Sequence, residues 1–291
     1  MTNASRTKLA PLTWVANLSL LFTELPLHER AAAAAAEGFE AVEFWWPFGT
    51  SGRPPKSNVD AFIESVESAG VSLAAMNLFA GDMPAGERGV LSYPERIEEF
   101  RDSVAVAVEV GRRLGTRMFN APFGHRRDGL DEREQDRIGD ENLAYAAAQL
   151  GAIGGTVLLE PVSRMPRYTM RTAADAFAII DRAEASETRN VGFLFDQFHL
   201  AMNGEDVLAI IDQHADRIVH VQLADVPDRG EPGSGNGSIG AVVQALTESG
   251  YRGLLALEYI PTTTTDESLD AWRREVERWP GFSATERRSA R

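Results

Sequence analysis

The sequence predicts a (β/α)8 barrel of the α/β class, and three observations carry that prediction. Short β-branched or aromatic runs alternate with longer alanine- and charge-rich stretches along the chain. Eight such pairs can be counted, and strand–helix alternation implies a parallel sheet with helical crossovers. At 291 residues, the chain has a length at which eight units close on themselves. The competing architecture is a doubly wound open sheet. Against it, the turn after the first strand, Leu18–Pro26, lacks a glycine-rich dinucleotide fingerprint.

In chain order, the expected strands are Thr13–Asn17, Ala41–Trp45, Ser72–Asn77, Arg117–Ala121, Val157–Glu160, Gly192–Asp196, Ile218–Leu223 and Leu254–Glu258. The helices expected between them are Leu27–Glu37, Asn58–Ala69, Tyr93–Leu114, Glu132–Leu150, Thr172–Ala185, Asp206–Gln213, Gly240–Glu248 and Asp266–Arg278. Gly38, Gly70 and Gly115 each follow a helical run and precede an apolar strand, where a C-terminal glycine belongs. The Ala31–Ala36 run is a strong helix former rather than a motif. The Gly/Pro/Ser-rich segments Gly49–Ser57 and Gly230–Ser238 fit βα loops. No composition break marks a second domain. Residues 9–282 are therefore expected to form one barrel, with 1–8 and 283–291 as flexible tails.

Composition narrows the function. The chain has no cysteine, which excludes disulfides, thiolate metal sites and cysteine catalysis. There are 43 acidic residues against 29 basic, a formal net charge of -14. So negative a surface repels phosphate backbones, and no nucleic-acid partner is expected. No basic-then-apolar leader and no apolar run of membrane length is seen, so the expectation is a cytoplasmic enzyme without a membrane partner.

Four strands end in an oxygen donor: Leu158-Leu159-Glu160, Leu194-Phe195-Asp196, His220-Val221-Gln222 and Ala256-Leu257-Glu258. Period-two alternation puts each donor on the face of the residue two positions back, which in a barrel points inward. Barrel enzymes build their sites at such C-terminal strand ends. Three carboxylates converging on one mouth repel each other unless a positive charge sits among them. One divalent cation held by Glu160, Asp196, Gln222 and Glu258 is the economical answer. Hard oxygen donors without a thiolate favour Mg2+ or Mn2+ over zinc.

Several stretches resemble the hydroxypyruvate isomerase group within the xylose isomerase-like TIM barrels, which also include ketose 3-epimerases. They are Ala16–Ser19 with Leu21–Glu24, Gly38–Glu43, Asn77–Gly89, Leu159–Val162, Phe195–His199, His220–Gly235 and Leu257–Tyr259. The resemblance implies that Glu160, Asp196, Gln222 and Glu258 bind the metal, and that Glu160 and Glu258 are also the catalytic carboxylates. It implies that His199 and Arg229 contact the substrate. Asn236 departs from the pattern, since the group usually carries an acidic residue after the Gly-Ser-Gly turn; that departure bears on the substrate or the contacts of the loop.

The implied activity interconverts a short 2-keto-3-hydroxy acid and its aldehyde isomer, the hydroxypyruvate and tartronate semialdehyde type, through an enediolate. A metal stabilises the developing oxyanion, one glutamate takes a proton and the other returns one. Glu258 is the preferred base and Glu160 its partner. A keto acid needs a partner for its carboxylate, and arginine offers a planar two-pronged donor. Arg229 is the first choice and Arg88, in the Gly86–Gly89 turn, the second. The glycines at 230, 233, 235 and 237 would let the loop approach or move over a ligand. Trp45 shares a strand face with Glu43 and is expected to line the pocket, whereas His220 is expected to be a satisfied core histidine. The alternative is a sugar or ketose 3-epimerase, or a related dehydratase, on the same metal site. The DNA-repair endonucleases that share this barrel need a histidine-rich metal cluster and a basic groove, which five histidines and the net charge oppose. Partly apolar barrel helices suggest a homodimer.

Overall fold

In a computed structural model of the chain, residues 13–279 are described. Eight parallel strands close into a barrel in the order β1 to β8. They are β1 (Thr13–Asn17), β2 (Ala41–Phe44), β3 (Ser72–Asn77), β4 (Met118–Asn120), β5 (Thr156–Leu159), β6 (Val191–Asp196), β7 (Ile218–Leu223) and β8 (Leu254–Leu257). Pairing of β1 with β8, from Thr13–Leu254 to Ala16–Leu257, shuts the ring. The predicted (β/α)8 class is therefore correct, and the open sheet is excluded.

Around it lie α1 (Leu27–Ala36), α2 (Lys56–Ala69), α3 (Ile97–Leu114), α4 (Glu132–Gly151), α5 (Ala173–Ala185), α6 (Gln197–Met202), α7 (Val207–His214), α8 (Ile239–Glu248) and α9 (Thr265–Val276). The buried face of α2, Val59, Phe62, Ile63 and Val66, recurs at the spacing that puts one helix stripe against the sheet. Gly70 and Gly115 end α2 and α3 in the left-handed region, at φ 70° and 74°. Thr172 and Asp175 form a reciprocal capping box on α5. Most of the core lies between barrel and helices, while Val15, Ala41 and Ala256 pack in a separate cluster of small side chains.

Two expectations change. Strands β2, β4, β5 and β8 stop one residue early, so Trp45, Ala121, Glu160 and Glu258 sit just beyond the sheet rather than in it. A six-residue helix, α6, follows β6 directly where no element was expected. The proposed tails at 1–8 and 283–291 lie outside the described residues. Among the described residues, no helix is long and apolar enough to cross a membrane.

Candidate active site

The barrel mouth is built from one inward-facing polar residue on or just past each strand. These are Asn17, Glu43, Asn77, Asn120, Glu160, Asp196, Gln222 and Glu258, in strand order. Each stands two positions beyond another inward residue, as in Val15/Asn17, Ala41/Glu43 and Ala256/Glu258, so strand alternation alone generates the ring. Sequence reading finds its acidic and glutamine members on β5 to β8. It misses Asn17, Glu43, Asn77 and Asn120 as site residues, although the same alternation marks them.

The structure places all four expected ligands at the barrel mouth, where the ligand atoms of Glu160 and Asp196 lie close together with that of His199. Glu160 receives Asn120 Nδ2 on Oε2 at 2.6 Å. Asp196 receives the backbone N–H of His199 on Oδ1 at 2.9 Å, capping α6. One oxygen of Asp196 thus serves the helix, and the other lies 3.6 Å from Arg229 Nη2 and 3.8 Å from His199 Nε2. Gln222 donates Nε2 to Glu43 at 2.8 Å, and its buried Oε1 has no hydrogen-bond partner. Glu258 takes Asn17 and Trp45 Nε1 on Oε1, at 3.1 and 2.5 Å, and Arg229 on Oε2 at 2.6 Å.

Burial pushes the Glu160 carboxyl up to about 8, with Asp196 adding to the rise and Arg229 and Asn120 opposing it. Burial also holds Glu258 well above the carboxylate range, opposed by Arg229 and reinforced by Asp196, Glu160 and Glu43. Burial disfavours the Arg229 cation, but Glu258, Asp196 and Glu160 outweigh it and raise its proton affinity. Even with the Arg229 guanidinium among them, both glutamates hold their protons more tightly than ordinary carboxyls. The donor set fits a hard divalent cation: two carboxylates with an uncommitted oxygen, an orphaned amide oxygen, and Glu258 beside them.

His199 lies 3.6 Å from Glu160 Oε1 and 3.8 Å from Asp196 Oδ2, close enough for a Glu–Asp–His metal triad. Its proton argues otherwise. The backbone N–H of Ser163 donates to Nδ1 at 3.0 Å, so that nitrogen holds the lone pair and Nε2 carries the hydrogen. Burial lowers the ring's pKa to about 4, which keeps it neutral. A neutral Nε2–H can donate to a ligand but cannot bind a cation.

A cavity of about 240 Å3 opens over these groups. Glu160, Glu258, His199, Arg229, Arg88 and Trp45 all line it, so the expected substrate contacts share one pocket. Arg229 also stacks on Phe198 and Trp45, at 5.2 and 5.9 Å from their ring centres. Arg88 is tethered by its Nη1 to the carbonyls of Met83 and Glu87. His220 is a satisfied core histidine on one side, with Nε2 on Glu43 Oε2 at 2.7 Å, but its buried Nδ1 is unpaired.

The glycine-rich loop is organised around one carboxylate. Three of its glycines wrap Asp225, whose carboxylate accepts the N–H groups of Gly233, Gly235 and Gly237. Asn236 donates its backbone N–H to Val226 and lines a different surface cleft, not the cavity.

Comparison with known proteins agrees with this architecture. Residues 31–278 match the family model described as Xylose isomerase-like TIM barrel. A Streptomyces coelicolor protein provisionally named a hydroxypyruvate isomerase is 45% identical over 260 residues, 88% of this chain and 93% of its own length. The Escherichia coli protein named hydroxypyruvate isomerase is 33% identical over 260 residues, 89% of this chain and 97% of its own. Among solved structures, a Brucella melitensis protein described as an AP endonuclease of family 2 is 31% identical with a TM-score of 0.80, covering 90% of this chain and 98% of that one.

Proposed function

We propose, because this chain belongs to the hydroxypyruvate isomerase family of xylose isomerase-like TIM barrels and is an isomerase, that it interconverts hydroxypyruvate, or a similarly short 2-keto-3-hydroxy acid, with its aldehyde isomer. One observation carries the reading. Two buried glutamates, a neutral imidazole donor and a guanidinium line a single small cavity, beside a set of oxygen donors suited to a divalent cation. At about 240 Å3 the cavity lies below the range typical of drug-sized ligands, which favours a short acid over a full sugar.

Glu160, Asp196, Gln222 and Glu258 would hold the ion, Mg2+ or Mn2+. When bound, it supplies Lewis acidity for the negative charge that develops on the substrate's oxygens. Arg229 takes the substrate carboxylate, with Arg88 as a second cation at the cavity wall. His199 donates Nε2–H to the carbonyl oxygen, and Trp45 walls the pocket while holding Glu258. Glu258 removes the proton from C3: three donors converge on its carboxylate, and a bound cation would offset the burial that otherwise keeps it protonated. The electron pair moves into the enediolate; Glu160 then delivers a proton to C2, while the C3 hydroxyl gives up its proton to become the aldehyde and the oxygen on C2 takes one up to become the hydroxyl. Solvent then resets both carboxyls.

The endonuclease description of the Brucella relative has no counterpart in this site. Among the described residues, the metal-capable cluster contains one histidine, and that histidine carries its proton toward the cavity.

In D2O with Mn2+, the enzyme should place deuterium on C3 of hydroxypyruvate, followed by proton NMR. Glu258→Gln should still bind Mn2+, measured by calorimetry, but lose the exchange by about 100-fold or more. Deuterium uptake at the wild-type rate in that variant removes Glu258 as the base. Failure of the wild-type protein to bind Mn2+ sinks the metal reading.

A further inference from the structure

Glu43 belongs to the ring of polar strand ends, is 1% exposed, and has no part in the proton transfers assigned to Glu258 and Glu160. Three donors meet on it. Asn17 Nδ2 and Gln222 Nε2 reach Oε1 at 2.9 and 2.8 Å, and His220 Nε2 reaches Oε2 at 2.7 Å. A buried carboxyl with this many partners is over-determined in position, and it comes from β2, on the far side of the barrel from Asp196. We propose that Glu43 is a positioning residue that sets the orientation of the Gln222 amide, so that an oxygen and not an NH2 group faces the metal position. The proposal rests on the assignment of a divalent cation to Glu160, Asp196, Gln222 and Glu258.

The two ends of a carboxamide have the same shape and opposite polarity, so shape alone cannot orient Gln222. The carboxylate resolves the choice, because an amide NH2 can only donate and must turn toward it. Oε1 is then left facing away, which accounts for a buried oxygen with no partner in the protein. The rest of the network prevents the carboxyl from rotating to suit the opposite orientation. His220 pins the second oxygen. Asn17 is itself fixed, since its Oδ1 accepts the N–H of Ser19 and its NH2 therefore points at both Glu43 and Glu258. A single buried carboxyl thus aligns the amide ligand directly and the Glu258 ligand through Asn17. Partners of this kind around metal ligands change affinity by roughly 10–100-fold when removed.

A double-mutant cycle on Mn2+ affinity tests the proposal, read by titration calorimetry and by the EPR signal of free Mn2+. Glu43→Met removes the acceptor and should weaken Mn2+ binding about tenfold or more. Gln222→Glu makes both ends of residue 222 oxygens, so orientation no longer matters. In that background Glu43→Met should cause no loss, and it restores the total charge. Equal weakening in both backgrounds would show that Glu43 only supports the fold, and an unchanged affinity in the single variant would overturn the proposal outright. Should Glu43→Met fail to fold, Glu43→Asp keeps the charge and draws the acceptor back; the same cycle is then run, and either of the same two results overturns the proposal. Absence of Mn2+ binding by the wild-type protein falls on the metal reading, not on Glu43.

Discussion

His199 lies within reach of Glu160 and Asp196, and its ring proton decides what it can do there. With Nδ1 accepting from Ser163 and burial holding the ring neutral, the cavity side is a donor. His199→Asn tests this directly, because the asparagine oxygen takes up the Nδ1 position and keeps the Ser163 bond, while Nε2–H is lost. The expected result is a fall in kcat of about 100-fold, the usual loss when one oxyanion donor is removed, with Mn2+ affinity within about twofold of wild type. A large loss of Mn2+ affinity would make His199 a ligand. Residue chemistry of this kind is partly legible in the sequence. Glu160, Asp196 and Glu258 stand out because a carboxylate closing an apolar strand is conspicuous. Asn17, Asn77 and Asn120 occupy equivalent places, yet an asparagine at a strand end reads equally well as the start of a turn. Glu43 falls on the right face but has no visible partner, since Gln222 and His220 are distant in sequence and meet it only through barrel closure.

The elements are legible where apolar periodicity runs long enough. Helix α6 escapes because six residues are too few to establish a 3.6-residue period, and its start is set by Asp196, the last residue of β6, acting as cap. The β7–α8 loop reads in sequence as a flexible glycine segment. Its actual organisation depends on Asp225, which no local pattern announces. That carboxylate accepts four backbone N–H groups, from Val226, Gly233, Gly235 and Gly237. Arg229 belongs to the same segment, held by its carbonyl to the N–H of Ile260 at 2.7 Å. Asp225→Ala should therefore act twice. Loss of a charged acceptor for several N–H groups costs about 3 kcal/mol, seen in calorimetry as a Tm lowered by roughly 6 °C. Releasing Arg229 should raise KM more than it lowers kcat, because the role proposed for the arginine is to bind substrate and not to move the proton. An unchanged KM would mean that the loop's anchor and the substrate arginine are independent.

At the scale of the whole molecule, closing eight strands forces eight polar strand ends into one small mouth, and the acidic ones there oppose folding unless neutralised. The carboxyl of Glu160 shows the consequence, since burial raises it from an ordinary 4.5 to about 8. Between those values the folded protein binds a proton that the unfolded chain has released. Stability is then greatest below about pH 4.5 for this group and declines as pH rises toward 8, when the buried site must ionise. A divalent cation reverses the sign, because it binds the ionised carboxylates and competes with their protons. At a Mn2+ concentration 100 times its Kd, the stabilisation is about 2.7 kcal/mol, or roughly 5 °C in Tm. Calorimetric scans in EDTA and in Mn2+ should diverge progressively between pH 5 and pH 8. The EDTA curve's contribution from this site falls, and the increment given by Mn2+ grows. A Mn2+ increment that stayed flat across that range would mean that the ion binds outside the buried carboxylates, and the ring at the barrel mouth would lose its claim to the metal.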